Sequence, residues 1–596
     1  MMTIRTNFAS CGGILFFDRR EYIETTTGKC FSDIEMELLD VKRQKILRDM
    51  ERKGIYIAPA HLKEKIERRK WEQPGNNGTT PEPRLVDSLV LTVAELSAGP
   101  VLLGPETTVY LPDTGLSDAL FFRLLNKTKV VLGGTVSLFK HLDGNDCIKE
   151  GVGVECREEV RLSPAIKNNT LFMENVAGLP DKSIYLWGVK SLTLKDHTAN
   201  LLPKLWLHDD NVMEELWLDV GVESLGWGIL FTGDRSIWLG KVKNLRLEKH
   251  AVNLLPKLKL HEDNVVEVLR LSAWERLYVS EMIFTGDRSI WLGKVKNLRL
   301  EKHAIDLLPK LKLHDDNVME VLRLSAWERT YVSSILAAKD NSIWLGKVKN
   351  LRLEKHAVNI LSKLKLDKDN VMGNLSLDVE LGEDVSYILA AEDRSIWVGR
   401  VKSLKLERYA INLLPKLWLH DDNVMEWLYL SEWLERYISY ILCIKDSSIR
   451  LGKVKSLKLE RYGINALPKL KLHEDNVMDV WLSGWQRDIS EILLKKDRTI
   501  CVGRVKSLSL EFYAISILPK LWLHEDNVME YFWLYADRGE YVSEIFGAED
   551  SSIWLGKVKK SLRLELYAIS ILPKLRSSTM IPTPEKVNTD IRGSKG

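Results

Sequence analysis

Residues 235–276, RSIWLGKVKNLRLEKHAVNLLPKLKLHEDNVVEVLRLSAWER, return at 288–329 with four substitutions: Val252/Ile305, Asn253/Asp306, Glu262/Asp315 and Val266/Met319. The same stretch recurs in more diverged form along the chain. Its glycine after S-I-W-L falls at Gly240, Gly293, Gly346, Gly399, Gly452, Gly503 and Gly556, in steps of 53, 53, 53, 53, 51 and 53 residues. Such a period marks a repeat architecture, and near-identity between neighbouring copies marks recent tandem duplication. An array that can gain or lose units is hard to reconcile with one assembled active site.

Each unit splits in two. One half begins Val242-Lys-Asn-Leu245-Arg-Leu247 and the other Val266-Glu-Val-Leu269-Arg-Leu271, so both read V-x-x-L-x-L, over about 24 and 29 residues. Apolar residues at positions 0, +3 and +5 of so short a block predict a strand with one face buried. Pro256 argues against a long helix in 250–264. Residues 275–287 have room for two or three helical turns before Gly286-Asp287 ends them. Fainter echoes lie upstream: Glu159–Ser163 repeats the Val268–Ser272 pattern, Val130–Val136 the S-I-W-L-G-K-V segment, and Arg84–Leu91 is the earliest block. The expected organisation is therefore a charged helical segment and linker at 1–84, divergent repeats at 85–181, the clear array at 182–576 and a polar disordered tail at 577–596. Within 1–84 the helical stretches are Ser32 to Lys53 and Ala60 to Trp71, closed by the Gln73-Pro-Gly-Asn-Asn-Gly linker.

The V-x-x-L-x-L start, Leu255-Pro256 placed 13 residues later, and the 24- and 29-residue halves resemble the leucine-rich repeats. That resemblance covers roughly 85–576. It implies an α/β solenoid: a horseshoe with a parallel sheet on the concave face, turns or helices on the convex face, and binding through the concave side. One departure bears on the turn. Eight residues after the first apolar position that family places Asn or Cys. This chain has His197, His250, His303 and His356, then Tyr409, Tyr462 and Tyr513; the other half has Trp274, Trp327 and Trp433. None bonds backbone as compactly as Asn, so the turn after the strand must be built differently. A helical solenoid or another strand-and-turn array is the remaining fold.

Bulk properties narrow the function. Formal net charge is only +3, which carries no global polyanion-binding signature, so a nucleic-acid partner is not expected. None of the six cysteines forms a CxxC pair, which reads as free thiols in a reducing compartment and predicts a cytoplasmic protein. The apolar patch Gly12 to Phe17 is too short to span a membrane and lacks signal-peptide architecture. Sequons at Asn77, Asn126, Asn168 and Asn374 keep a secreted or cell-surface protein as the alternative.

Equivalent positions of a solenoid stack along its axis, about 4.8 Å apart. Position +1 alternates in sign (Lys243, Glu267, Lys296, Glu320, Lys349) and predicts a cross-strand ion-pair ladder. Position +4 is basic: Arg246, Arg270, Arg299, Arg323 and Arg352, later Lys405 and Lys458. This is either a solvated charged face, with Glu248, Glu301 and Glu354 as counter-charges, or a stripe for an acidic protein partner. Further on, the outward positions become aromatic at Trp427, Tyr429, Tyr531 and Trp533, residue types that anchor protein interfaces. Trp238, Trp291, Trp344, Trp397 and Trp554, enclosed in I-W-L-G or its variants, read as packing residues.

The histidines of H-[DE]-D-N (His208, His261, His314, His420, His473 and His524) stand two strands apart, too far to share an ion, and Asp367 replaces one of them. They read as turn residues, with no metal or cofactor expected. There is no GxGxxG, Walker, GxSxG or HExxH motif. The expected function is a non-enzymatic interaction scaffold that holds a protein on the concave face. A substrate-recruiting subunit acting through residues 1–84 is the rival.

Overall fold

The computed structural model describes residues 176–577 apart from 187–188, 222–223, 226, 231, 280–284 and 474. Before these it describes 2–5, 13–17, 21–25, 84–90, 101–103, 106–117, 121–122, 124–125, 128–139, 148–150, 159–162 and 173. The expected helices at 32–53 and 60–71, and the tail beyond 577, lie outside the described residues. The chain forms two compact units, 1–295 with 310–312, and 296–309 with 313–596.

The first unit opens with strands that lie upstream of the two expected helical stretches. The described parts of residues 1–25 are three antiparallel strands, Met2–Arg5, Gly13–Phe17 and Glu21–Thr25, and the first of these also pairs with Val101–Leu103. Runs such as GILFF and EYIET are rich in β-branched and aromatic residues, and these outweigh the charged character of the segment around them. The upstream echoes are parts of the repeat. Glu159–Leu162 pairs in parallel with Ser191–Lys195, and Val130–Leu132 with Ile184–Leu186. The parallel strands Ser191–Lys195, Val212–Val220, Ile237–Lys249 and Val265–Ala273 then pair in chain order.

The second unit continues this pattern in eleven strands, from Asn297 paired with Val321 to Ala536 paired with Leu566. All are parallel and all are in register at the Leu-x-Leu core. Each half-unit makes one pass of the chain. A strand of the main sheet leads into a short 3-10 turn, such as Tyr409–Lys416, and then into a three-residue strand, such as Leu417–Leu419. That short strand pairs with the I-W-L-G end of the preceding pass, Ile396 opposite Leu417. The core lies between the two layers. Val401, Leu404 and Leu406 enter it from the main sheet, Ala410, Ile411, Leu413 and Leu414 from the turn, and Leu417 from the short strand. Each such aliphatic side chain contributes roughly 1.5–3 kcal/mol on burial. Both units are thus strand-and-turn repeat solenoids.

Apolar contact does not fix the register of one pass on the next; three polar devices do. The Asn that ends H-[DE]-D-N reaches the backbone at position 0 of the preceding pass. Asn370 accepts from the amide of Val348 at 2.9 Å and donates to its carbonyl at 3.2 Å; Asn264 does the same to Val242. These Asn side chains are buried. The chain bends sharply where they grip, and the glycine just before position 0 has positive φ. At Gly452 (φ +76°) a Cβ would sit 2.5 Å from the carbonyl oxygen of Asn423.

The second device is the Asn of the 3-10 turn. Asn412 accepts from Ile441 at 3.0 Å and donates to the carbonyl of Tyr437, tying its turn to the helical turn of the next pass. The third is an ion-pair ladder. The Lys of L-P-K meets the Asp of the D-[RNS]-S turn at 2.7–2.9 Å, as in Lys204–Asp181 and Lys257–Asp234 in the first unit and Lys363–Asp340, Lys416–Asp393, Lys469–Asp446 and Lys574–Asp550 in the second.

The His or Tyr eight residues after the first apolar position opens the 3-10 turn that follows the main strand, as His250 and Tyr409 do. The residue before it is left-handed: Lys355, Arg408, Arg461 and Phe512 have φ between +52° and +58°. For non-glycine residues this costs of the order of 1–3 kcal/mol each.

Asn370→Ala should therefore leave the amide and carbonyl of Val348 buried without partners, at roughly 1–3 kcal/mol apiece. The expected outcome is a loss of about 3 kcal/mol in denaturant melts, with faster amide hydrogen exchange at Val348 than at Val401.

Candidate functional site

Positions +2, +4 and +6 of each main-sheet strand point away from the core, and the pairing sets them in columns. In the first unit the +4 column reads Trp217, Arg246, Arg270. In the second it reads Arg299, Arg323, Arg352, Ser376, Lys405, Tyr429, Lys458, Trp481, Ser509, Trp533, Arg563. The five arginines of the expected basic stripe thus do stand side by side within their units. Arg246, Arg323 and Arg352 are also matched by acids at +6. Arg246 contacts Glu248 at 2.5 Å, while Arg323 and Arg352 share Glu354 at 3.0 and 2.6 Å. Lys405 pairs with Glu407 and Lys458 with Glu460, both at 2.8 Å. Burial works to raise the Glu354 carboxyl, but the two guanidiniums outweigh it and hold the group below the ordinary carboxylate range. The stripe is a mixed-charge surface whose like charges are separated by counter-ions. Lys243 at +1 pairs with Glu214, and Lys560 pairs with Glu530, both at 2.7 Å and well exposed, where solvent screens the attraction.

The four predicted aromatic anchors divide into two kinds. Trp427 (53% exposed) and Tyr531 (47%) occupy +2, a column otherwise of Asn, Ser, Val and, at Asp479, a carboxylate in the second unit; the Lys560 ammonium lies 5.5 Å over the Tyr531 ring. Trp427 and Tyr531 are four strands apart, about 19 Å at the usual spacing. Tyr429 and Trp533 occupy +4 and are tied down. Tyr429 donates to Glu460 at 2.6 Å and lies between the ammonium groups of Lys405 and Lys458, at 5.5 and 5.3 Å; Trp533 donates to Glu565 at 3.1 Å. Burial and the Glu460 bond push the Tyr429 phenol up to about 12.

Sequence reasoning missed several neighbours of this patch. Trp481 lies in the 51-residue repeat, where the spacing slips; an irregularity between Met478 and Asp479 restores it to +4, and Lys458 sits 3.5 Å over its ring. Trp433 is 63% exposed, with the Arg461 guanidinium 3.5 Å over one face. Trp485 stacks on Phe512 at 5.0 Å. Glu432 occupies a place that is Ala326, Val379 or Ala536 in other repeats, and its only signal was that substitution. It is buried, accepts the amides of Trp433 and Leu434 at 2.6 and 2.8 Å, and keeps its second oxygen without a protein partner. Burial pushes its carboxyl up to about 7.

Two further readings can be placed. The His of H-[DE]-D-N is a turn residue: the amide two residues on bonds to its ring Nδ1, 3.2 Å in the case of His420. Asp367 does the same through its carboxylate at 2.9 Å, which is why the two residue types interchange. The I-W-L-G tryptophans are a correction. Because they alternate with the buried Ile and Leu, they point outward from the short-strand layer, and Trp291 and Trp344 are 39% and 38% exposed.

A carboxyl raised in the folded state from 4.5 to about 7 takes up a proton on folding. Its contribution is therefore full below about pH 4.5 and is lost as the pH rises through about 7, at up to about 1.4 kcal/mol per pH unit. Glu432→Gln keeps an acceptor for the two amides without the charge. It should flatten stability between pH 5 and 8 and raise it at pH 8, as read by denaturant melts at both ends of that range.

No protein-family profile, no curated protein and no solved structure matches this chain.

Proposed function

We propose that this chain is a non-enzymatic interaction protein that holds a protein partner on the outward face of its main sheet. We place it as a divergent leucine-rich-repeat protein working in the cytoplasm, with that face as its concave side. The observation that carries the reading is the patch on the strand Val424–Glu432 and its neighbours. Trp427, Trp433 and Leu434 are exposed there beside Tyr429 and Trp481. Interface energy concentrates in Trp, Tyr and Arg clusters of this kind, and large exposed apolar groups are costly unless a partner covers them. Lys405, Lys458 and Arg461 interleave the rings, which favours an acidic rim on the partner.

The repeat supports the same reading. Core positions stay aliphatic from copy to copy, while +2 and +4 change from Asn and Arg to Trp, Tyr and Ser. Surface variation on a constant scaffold is how repeat proteins acquire a partner. Among the described residues no helix is long and apolar enough to cross a membrane.

Purified chain immobilised as bait should retain a partner that Trp427→Ala/Trp433→Ala loses by tenfold or more. Arg299→Glu/Arg323→Glu should leave the fold intact and weaken the same binding less. Identical retention by the wild type and both variants would remove this surface from consideration.

A further inference from the structure

The last pass of the described array, Ile553–Ser577, presents an open edge. Earlier main-sheet strands of the second unit pair on both sides, as Ile500–Phe512 does with Val477–Gly484 and Val528–Ala536. In Ile553–Leu566 the stretch Lys557–Leu566 pairs with Val528–Ala536 alone among the described residues; only the other end, Ile553–Gly556, meets a second strand, Leu575–Ser577. Apolar side chains that a further pass would cover are left in solvent. Tyr567 is 54% exposed where Tyr513, one unit earlier, is 8%. Ile569 and Leu572 are exposed where Ile515 and Leu518 are buried. The left-handed residue that closes the main strand changes as well. It is a cation at Lys302, Lys355, Arg408 and Arg461, and at this edge it is Leu566, which is exposed.

The sequence beyond Ser577 does not supply the missing pass. Counted from Leu575 as the repeat counts from Leu521, the clamp Asn becomes Ile581 and position 0 becomes Thr583. The inward residues at +3 and +5 become Lys586 and Asn588. Pro582 and Pro584 would each take a donor out of such a strand.

We propose that this edge pairs with the same edge of a second copy of the chain, antiparallel, about a two-fold axis at Leu564. In that register Leu564 faces its own counterpart, and Leu562 faces Leu566 twice. On the outward side Arg563 faces Glu565 twice, so the strand is its own complement in both charge and apolar character. Each Glu565 already contacts Arg563 of its own strand. A second Arg563 reproduces the arrangement at Glu354, which Arg323 and Arg352 share. Neighbouring registers fail. An axis at Arg563 or at Glu565 sets like charges opposite each other, and one at Leu562 sets Lys560 against Leu564 twice. Lys557, Lys559 and Lys560 fall outside the paired stretch and oppose a longer pairing with an unrelated strand. An isologous contact of this kind uses up both edges, so assembly stops at two. The edge is distinct from the main-sheet patch, and this inference stands independently of the protein-partner reading.

Sedimentation velocity of the full chain, from low to high micromolar concentration, tests the pairing. The wild type should pass from monomer to dimer and no further. Arg563→Glu and Glu565→Arg each set two like-charge pairs across the axis and should each weaken the dimer about tenfold or more. The double exchange Arg563→Glu/Glu565→Arg restores both pairs and should recover wild-type association. Leu566→Lys returns the residue that earlier repeats carry at that position, so it should weaken the dimer to a similar extent with an unchanged thermal transition. Trp427→Ala, on the main-sheet patch, should dimerise as the wild type does, which separates loss of this dimer from loss of a captured partner. The proposal falls if the wild type stays monomeric or grows beyond a dimer. It falls equally if a single reversal or Leu566→Lys dimerises like the wild type, or if the folded double exchange remains monomeric.

Discussion

Within each 53-residue unit described, the second pass is held to the first by side-chain amides. The Asn of H-[DE]-D-N reaches back to position 0 of the preceding strand, and at Asn264 and Asn370 it occupies both the amide and the carbonyl of that residue. A parallel sheet needs a connection that brings the chain back to the same edge each time, and the bend that does so leaves backbone groups without ladder partners. Only a compact side chain with both a donor and an acceptor closes that gap. The glycine before the bend follows from the same constraint, since it has positive φ there, and at Gly452 and Gly556 a Cβ would also strike the Asn carbonyl. The aliphatic V/L/L triplets supply most of the favourable free energy, but many registers would bury them about equally well. The amide clamp selects one.

Once register is fixed, the surface is fixed too. With one register, every +4 residue meets only +4 residues, and every +6 residue stands one step along from a +4. Arginine columns are then tolerable because glutamates at +6 lie within reach, as Glu354 does for Arg323 and Arg352. Replacing a cation by a ring in such a column also costs little. Tyr429 sits between two ammonium groups that it attracts through its ring face, and Glu460, which pairs with Lys458, also accepts its hydroxyl. Aromatic residues could thus enter an ionic surface one repeat at a time without leaving a charge stranded.

The fold was legible in the sequence because its period is rigid. The 53-residue spacing, the two halves and the inward triplet all follow from counting, and the parallel strands lie where V-x-x-L-x-L puts them. Other features were hidden for physical reasons. His420 and Asp367 look chemically different, yet both offer an acceptor to the amide two residues on, and that equivalence appears only in three dimensions. I-W-L-G reads as core because three of its four residues are buried, but strand alternation turns the Trp outward. Trp481 was displaced by a one-residue deletion that a local irregularity absorbs. Residues 1–25 carry too short a pattern for charge and strand propensity to be told apart by sequence alone.

Glu432 shows how the array departs from its own rule. At that place the other repeats put Ala, Val or Gly, because the side chain points into the core. A carboxyl there loses solvation and answers it only in part, through the amides of Trp433 and Leu434. Those two residues are the exposed apolar pair at the rim of the aromatic patch. The buried acid therefore organises the turn that presents them. The Arg461 guanidinium over the Trp433 ring comes from the left-handed position that Lys355, Arg408 and Phe512 occupy in their own repeats. The desolvated carboxyl is the departure, since the copies on both sides keep register without a buried acid. What it fixes is the position of Trp433, and this gives the main-sheet patch its centre.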